Sequence, residues 1–143
     1  MQKWIHRLFL GVIALATGLI LWFYWTLFSP MSLFKVTNSP VPLVGGNIVK
    51  AGTQIQYIID YCKYVPITGE IHRQLVDTVT IPLESYQTDS PVGCETGKKS
   101  IPVTIPGYIQ PGRYKISIHA IYHPYPWRTV DYQFETETFD VVK

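Results

Sequence analysis

Cysteine is scarce in this chain, with two residues in 143, Cys62 and Cys94. Neither sits in a Cys-x-x-Cys or His-x-x-x-Cys spacing, so the usual zinc signatures are missing and no metal is expected. Charge is sparse as well, at 15% of residues, and no basic stripe runs along any segment. Without that electrostatic footprint a nucleic-acid partner is not expected. There is no Gly-x-Ser-x-Gly elbow and no serine in a recognisable nucleophilic setting. No catalytic residue set and no cofactor motif emerges, so the expectation is a protein that is not an enzyme. Internal repeats and low-complexity tracts are also lacking.

What is present begins with one apolar run. Residues 8–28 contain no charged side chain. As a helix, these 21 residues span about 32 Å, close to the roughly 30 Å hydrocarbon thickness of a bilayer. A cleaved signal has a shorter apolar core, about 7–15 residues, and ends in small residues. This run instead ends in Trp22-Phe23-Tyr24-Trp25, rings suited to a headgroup belt, and Trp4 suits the opposite interface. The expectation is an uncleaved single-pass anchor in the lipid bilayer, terminated at Ser29-Pro30 because proline cannot continue a helix. Lys3 and Arg7 precede the run, and the first charge after it is Lys35. Positive charge stays cytoplasmic, so the C-terminal region is expected outside the cytoplasm, in the periplasm of a bacterium. The expected divisions are a cytoplasmic tail at 1–7, a transmembrane helix at 8–28, a juxtamembrane linker or edge strand at 29–42, and an outer domain at 43–143. Gly11, Ala14 and Gly18 share one helical face, which would allow close packing with a second copy or with another membrane protein.

The net charge of +2 follows from the topology: all ten acidic residues and ten of the twelve basic ones lie after the run. The outer region is formally neutral, and the Lys98-Lys99 doublet reads as a solvated turn beside Gly97. In an oxidising compartment Cys62 and Cys94 would form a disulfide, whose loop of about 33 residues would contribute roughly 3–4 kcal/mol. A cytoplasmic domain would favour two free buried thiols instead.

From Phe34 onward the apolar pattern has period two, the signature of half-buried strands. Ile55, Tyr57, Ile59 and Tyr61 alternate with polar neighbours, as do Ile101, Val103 and Ile105. Tyr114, Ile116, Ile118, Ala120 and Tyr122 form a longer series, followed by Val130, Tyr132 and Phe134. A strand is expected over 74–83, and Phe139 with Val141 closes the chain. Gly and Pro pairs punctuate these runs. About seven short strands in about 110 residues point to an all-β sandwich.

The stretch Ile109-Gln-Pro-Gly-Arg-Tyr-Lys-Ile-Ser-Ile-His-Ala120 resembles the sixth strand of immunoglobulin-like and fibronectin type III sandwiches. The resemblance implies that Tyr114 is a corner residue, its hydroxyl bonded to upstream backbone. It departs from the immunoglobulin pattern at Ile116, where cysteine is usual, and a Cys62–Cys94 bridge would be non-standard. The early-strand tryptophan of fibronectin modules is replaced by Tyr57 and Tyr61 nearby. The layout also resembles small anchored sandwich proteins of bacteria and their tailed phages.

Three further patterns are weaker. Gly93-Cys-Glu-Thr-Gly97-Lys98-Lys99-Ser100 echoes a phosphate-binding loop, but it has one residue too few between its glycines and lies between strands. His119 and His123 are four apart on a strand, about 13 Å, too far to share one zinc ion. Glu135 and Glu137 share a strand face, as on a solvated edge. The best recognition segment is 122–128, with Tyr122, His123, Tyr125, Trp127 and Arg128 between two strands at a sandwich end. Tyr, Trp and Arg are enriched in hot spots, and Pro124 and Pro126 would pre-order the loop. The same residues would equally suit a stiff hairpin whose rings cover the core. The functional expectation is a membrane-tethered, non-enzymatic binding or assembly module for a protein or envelope component. Its alternative is a small membrane regulator acting through the helix.

Overall fold

The computed structural model describes residues 2–143, with the side chains of residues 2, 3, 98 and 99 outside the description. The Lys3 charge and the Lys98-Lys99 side chains therefore lie outside the described residues. The chain forms two compact units, one ending at Met31 and the other spanning Ser32–Lys143.

The first unit is one helix, α1 (Gln2–Phe28). Its 27 residues reach about 40 Å, enough for the hydrocarbon and most of both headgroup layers. It begins earlier than the apolar run, because nothing in residues 2–7 breaks a helix. It ends as expected, with Ser29 N donating to Trp25 O at 2.9 Å just before Pro30. The stretch Trp4–Phe28 holds an 18-residue window of mean hydropathy 2.0 with no buried residue, and it is long and apolar enough to cross a membrane. Thr17 Oγ1 donates to Ile13 O at 2.9 Å, so its hydroxyl is satisfied within the helix. Nothing lies within 4 Å of a side chain added at Gly11 or Gly18, so that face is open among the described residues.

The second unit is an immunoglobulin-like sandwich of two sheets, antiparallel throughout except for one parallel edge strand of the second. In the first sheet, β4 (Gln54–Lys63) is central and pairs along its length with β8 (Gly93–Thr104). Its other edge carries β1 (Phe34–Val36) and β2 (Leu43–Val44) in tandem. The segment read as linker or edge strand thus supplies an edge strand from Phe34 onward. Between β1 and β2 the chain crosses to the opposite sheet, where Val41 bridges Thr136. In the second sheet, β9 (Gly112–Tyr125) pairs on one edge with β5 (Gly69–Val76). Its other edge holds β10 (Arg128–Glu135) and β11 (Phe139–Val142) in tandem. The outer edge of β5 holds β6 (Thr80–Pro82) and β7 (Tyr86–Thr88), and β3 (Ile48–Lys50) runs parallel to β11. Merging the tandem pieces, with β3 left aside as an added edge of the second sheet, places the first, second and fifth strand positions in one sheet. The third, fourth, sixth and seventh form the other.

The alternating residues fill the space between the sheets. Ile55, Tyr57, Ile59 and Tyr61 from β4 face Ile116, Ile118, Ala120 and Tyr122 from β9, and all eight are buried. Tyr114 is buried at the start of β9, and its hydroxyl donates to the Gln110 carbonyl at 3.0 Å. That bond, four residues upstream, is the corner contact which the resemblance implies.

The expected strand over 74–83 is instead a hairpin. β5 ends at Val76, residues 77–79 turn, and β6 returns, leaving Val79 exposed. The start of β5 carries no clear period-two apolar signal because Arg73 occupies an inward position. Its guanidinium is buried, yet Nε donates to Glu84 O at 2.9 Å and Nη1 to Pro102 O at 2.8 Å. Burying a charge is tolerated when its donors are satisfied. The Lys98-Lys99 turn is also corrected. Both residues lie within β8, where two extra residues make a bulge opposite Ile59 and Tyr61, and Gly97 has φ +62.

Candidate functional site

The features that could engage a partner gather at one end of the sandwich. Phe34, Lys63 and Gly93 are register partners across the first sheet. Gly69, Thr88 and Tyr122 are level across the second. Phe34 links the sheets, its ring centroid 5.8 Å from that of Tyr122. Lys63 does so too: Nζ donates to Ser90 O at 2.8 Å and lies 6.0 Å from the Tyr122 ring. The domain's first strand, the loops 64–68 and 89–92 and the β9–β10 hairpin therefore share this end, called here the N-terminal end.

The hairpin is tighter than the expected loop. Tyr125 pairs with Arg128, leaving only Pro126 and Trp127 as the turn. Tyr125 and Trp127 stack with centroids 5.5 Å apart and rings within 4° of parallel. Trp127 is 46% exposed, Tyr125 and Arg128 are partly exposed, and His123 is exposed with Nδ1 3.1 Å from Thr129 Oγ1. Tyr122 is different. It is wholly buried, so its place in the recognition set is corrected: it belongs to the core. Strand alternation explains this, because Tyr122 continues the inward series from Tyr114. Sequence reasoning missed two exposed apolar residues at this end, Tyr64 and Val92. Neither falls in a periodic run, and only the strand pairing brings them near the hairpin.

Cys62 and Cys94 are direct cross-strand neighbours on β4 and β8 and form a disulfide, with Cα atoms 4.0 Å apart. They are within the 7 Å limit for bridging. Tyr61 and Lys63 point inward, so the bridge lies on the outer face, unlike an inter-sheet bridge through the core. The adjacent Tyr61 hydroxyl donates to Glu95 at 2.8 Å.

The remaining titratable groups do not converge on a reaction centre. His119 and His72 are cross-strand partners on the outer face of the second sheet. His119 Nδ1 is 3.0 Å from Asp131, whereas His72 Nδ1 is 3.1 Å from Ser85 and its Nε2 is 3.5 Å from Glu70. Among the described residues no three His, Cys, Asp or Glu side chains could hold a metal ion. His123 is four strand positions beyond His119 and exposed. Glu135 forms an ion pair with Lys115 at 2.7 Å, and Glu137 lies past the end of β10.

Among the described residues, the buried hydroxyls of Tyr57 and Tyr122 make no hydrogen bond of ordinary geometry. They line a small cavity between the sheets with Phe34, Tyr61, Ile71 and Tyr86. Burial raises the Tyr57 pKa most of all, with Tyr86 adding to the effect and Arg73 opposing it. Burial likewise pushes Tyr122 up to about 12, helped by Tyr61, Tyr132 and Tyr86. Neutral phenols buried this way are a feature of the core. Both stay protonated near pH 7.

No family model and no curated protein matches the chain. Among solved structures it is similar to the CARDB domain of the PF1109 protein from Pyrococcus furiosus, determined in complex with di-metal ions. That similarity has a TM-score of 0.40 and 14% identity, over 79% of this chain and 95% of that one. It is also similar to part of a β-glucosidase from Listeria innocua in complex with glucose. There the TM-score is 0.39 and the identity 11%, over 74% of this chain and 16% of the enzyme. Neither likeness is close enough to bear on function.

Proposed function

We propose that this chain is a single-pass, membrane-tethered binding or assembly module without enzymatic activity. Its helix anchors an extracytoplasmic immunoglobulin-like domain whose N-terminal end engages its partner. The observation that carries this reading is the stacked Tyr125–Trp127 pair at the tip of a two-residue hairpin. A rigid strand pair holds two interface-type rings partly in solvent, which limits the entropy lost on binding. The unburied apolar helix supports the anchor, and the disulfide agrees with an oxidising compartment. The Tyr114 corner supports kinship with immunoglobulin-like and fibronectin type III modules, including the anchored sandwiches of bacteria and tailed phages. In a bacterium the domain would be periplasmic.

A photo-crosslinking residue in place of Trp127, in the full chain in its membrane, tests the reading. An adduct to a protein, an envelope component or lipid is expected. No adduct above the level of one placed at exposed Val79 contradicts it.

The open face of Gly11, Ala14 and Gly18 favours a second reading, a regulator that pairs through its helix with another membrane protein or a second copy. Replacing α1 by an unrelated apolar anchor separates the two. A binding module keeps its crosslink, whereas a helix-pairing regulator loses its association.

A further inference from the structure

We propose that the N-terminal end of the sandwich is a bilayer-contact surface, with Tyr125 and Trp127 seated among lipid headgroups. Tyr64 and Val92 would lie beside them. This rests on the anchor reading above and names the partner of the same aromatic tip.

Chain length sets the first constraint. Five residues, 29–33, separate the end of α1 at Phe28 from the start of β1 at Phe34. Their six Cα steps reach at most about 20 Å. Phe34 is level with Lys63 and Gly93, so this is the end of the domain at which the short tether enters. The hairpin adds to this. β9 continues three residues past Tyr122 to Tyr125, which carries the tip about 10 Å beyond that level. A headgroup layer about 5–8 Å deep is then within reach of Trp127.

Chemistry sets the second constraint. The segments 64–68, 89–92 and 125–128 contain only two charged side chains, Asp89 and Arg128. Asp89 already accepts a hydrogen bond from Thr68 Oγ1 at 2.6 Å. The surface otherwise presents Tyr64, Val92, Trp127 and several prolines, with Tyr64 52% and Val92 53% exposed. Tryptophan and tyrosine concentrate where apolar and wet layers meet, and the last turns of α1 carry the same residue types in Trp22, Tyr24 and Trp25. Exposure alone would not assign the surface, since Ile48 and Tyr108 are more exposed at the opposite end. Those residues lie a full β4 strand, ten residues or about 33 Å, from the end at which the tether enters.

The test uses the full chain with Trp4, Trp22 and Trp25 each changed to Phe, leaving Trp127 as its sole tryptophan and the sandwich unaltered. The protein is reconstituted in phosphatidylcholine vesicles with and without acyl chains brominated near the headgroup. The expected result is emission from Trp127 that falls to about half with brominated lipid, as suits a ring at the interface, together with weak quenching by aqueous iodide. Emission insensitive to bromine with full iodide access overturns the proposal while leaving the crosslinking test of the tip intact. Emission insensitive to both quenchers also overturns it and assigns the tip to a protein contact, such as a second copy. Failure of the chain to float with the vesicles removes the anchor reading, and the proposal falls with it.

Discussion

Changing Gly69 to Ala should destabilise the domain, although general strand chemistry says the opposite. Glycine inside a strand costs roughly 0.5–1 kcal/mol relative to alanine, so an ordinary Gly→Ala exchange in β5 would be stabilising. At Gly69 the Tyr122 ring covers the backbone. A Cβ there would lie 2.6 Å from Tyr122 Cε1 and 2.8 Å from Cζ. The ring cannot swing away, because it is fully buried, with the Phe34 centroid at 5.8 Å and that of Tyr132 at 6.1 Å. Overpacking a filled core costs about 1–3 kcal/mol, so the net loss should be about 1–2 kcal/mol. For a domain of this size that is a fall in Tm of several degrees. Gly107→Ala is the matched control. Its nearest neighbour would be Gly52 Cα at 3.7 Å, an ordinary contact, so this variant should melt like the parent or slightly higher. The assay is thermal melting of both full-length variants in detergent, followed by near-ultraviolet circular dichroism. A Gly69→Ala protein as stable as the parent would refute the placement of Tyr122 in the core, and would return it to the recognition surface.

Other outcomes follow from the same packing. Tyr122 titrates near pH 10 when unfolded but is pushed up to about 12 in the fold, chiefly by burial. The folded state then holds its proton where the unfolded chain releases it. This stability is complete below about pH 10 and is lost as the pH rises from there to about 12. Denaturant melts across that window should show the decline, and Tyr122→Phe should make it shallower, with the Tyr57 contribution remaining. Cys62→Ser with Cys94→Ser should cost about 2–4 kcal/mol, read as a lower urea midpoint, because the bridge closes a sequence separation of 32. Tyr125→Ala with Trp127→Ala should move Tm little, since both rings are partly exposed, while lowering capture of the partner that the crosslink identifies. A large fall in Tm would show that these rings support the core.

Much of the fold was legible because period-two patterns translate directly into buried faces. The series Ile55–Tyr61 and Tyr114–Tyr122 named inward residues of the two central strands, β4 and β9. Strands were lost where function-neutral chemistry interrupted the pattern. Arg73 sits inward because carbonyls of Glu84 and Pro102 satisfy it, and no local signal reports such distant acceptors. The start of β8 was hidden by its bulge at Gly97, which places a polar, glycine-containing run inside a strand. The candidate surface was half legible. The composition of 122–128 pointed to the hairpin, but only the alternation along β9 separates buried Tyr122 from Tyr125 and Trp127. Tyr64 and Val92 could not be joined to them without the pairing of Lys63 with Gly93 and of Gly69 with Tyr122.

The central claim is a domain held outside the cytoplasm by one uncleaved helix, and protease access to the C-terminus tests it most directly. A tag placed after Lys143 should be digested by protease added to intact cells or spheroplasts, while the full-length chain stays in the membrane fraction. A tag digested only after lysis would contradict the topology and, with it, the oxidising environment assigned to Cys62 and Cys94.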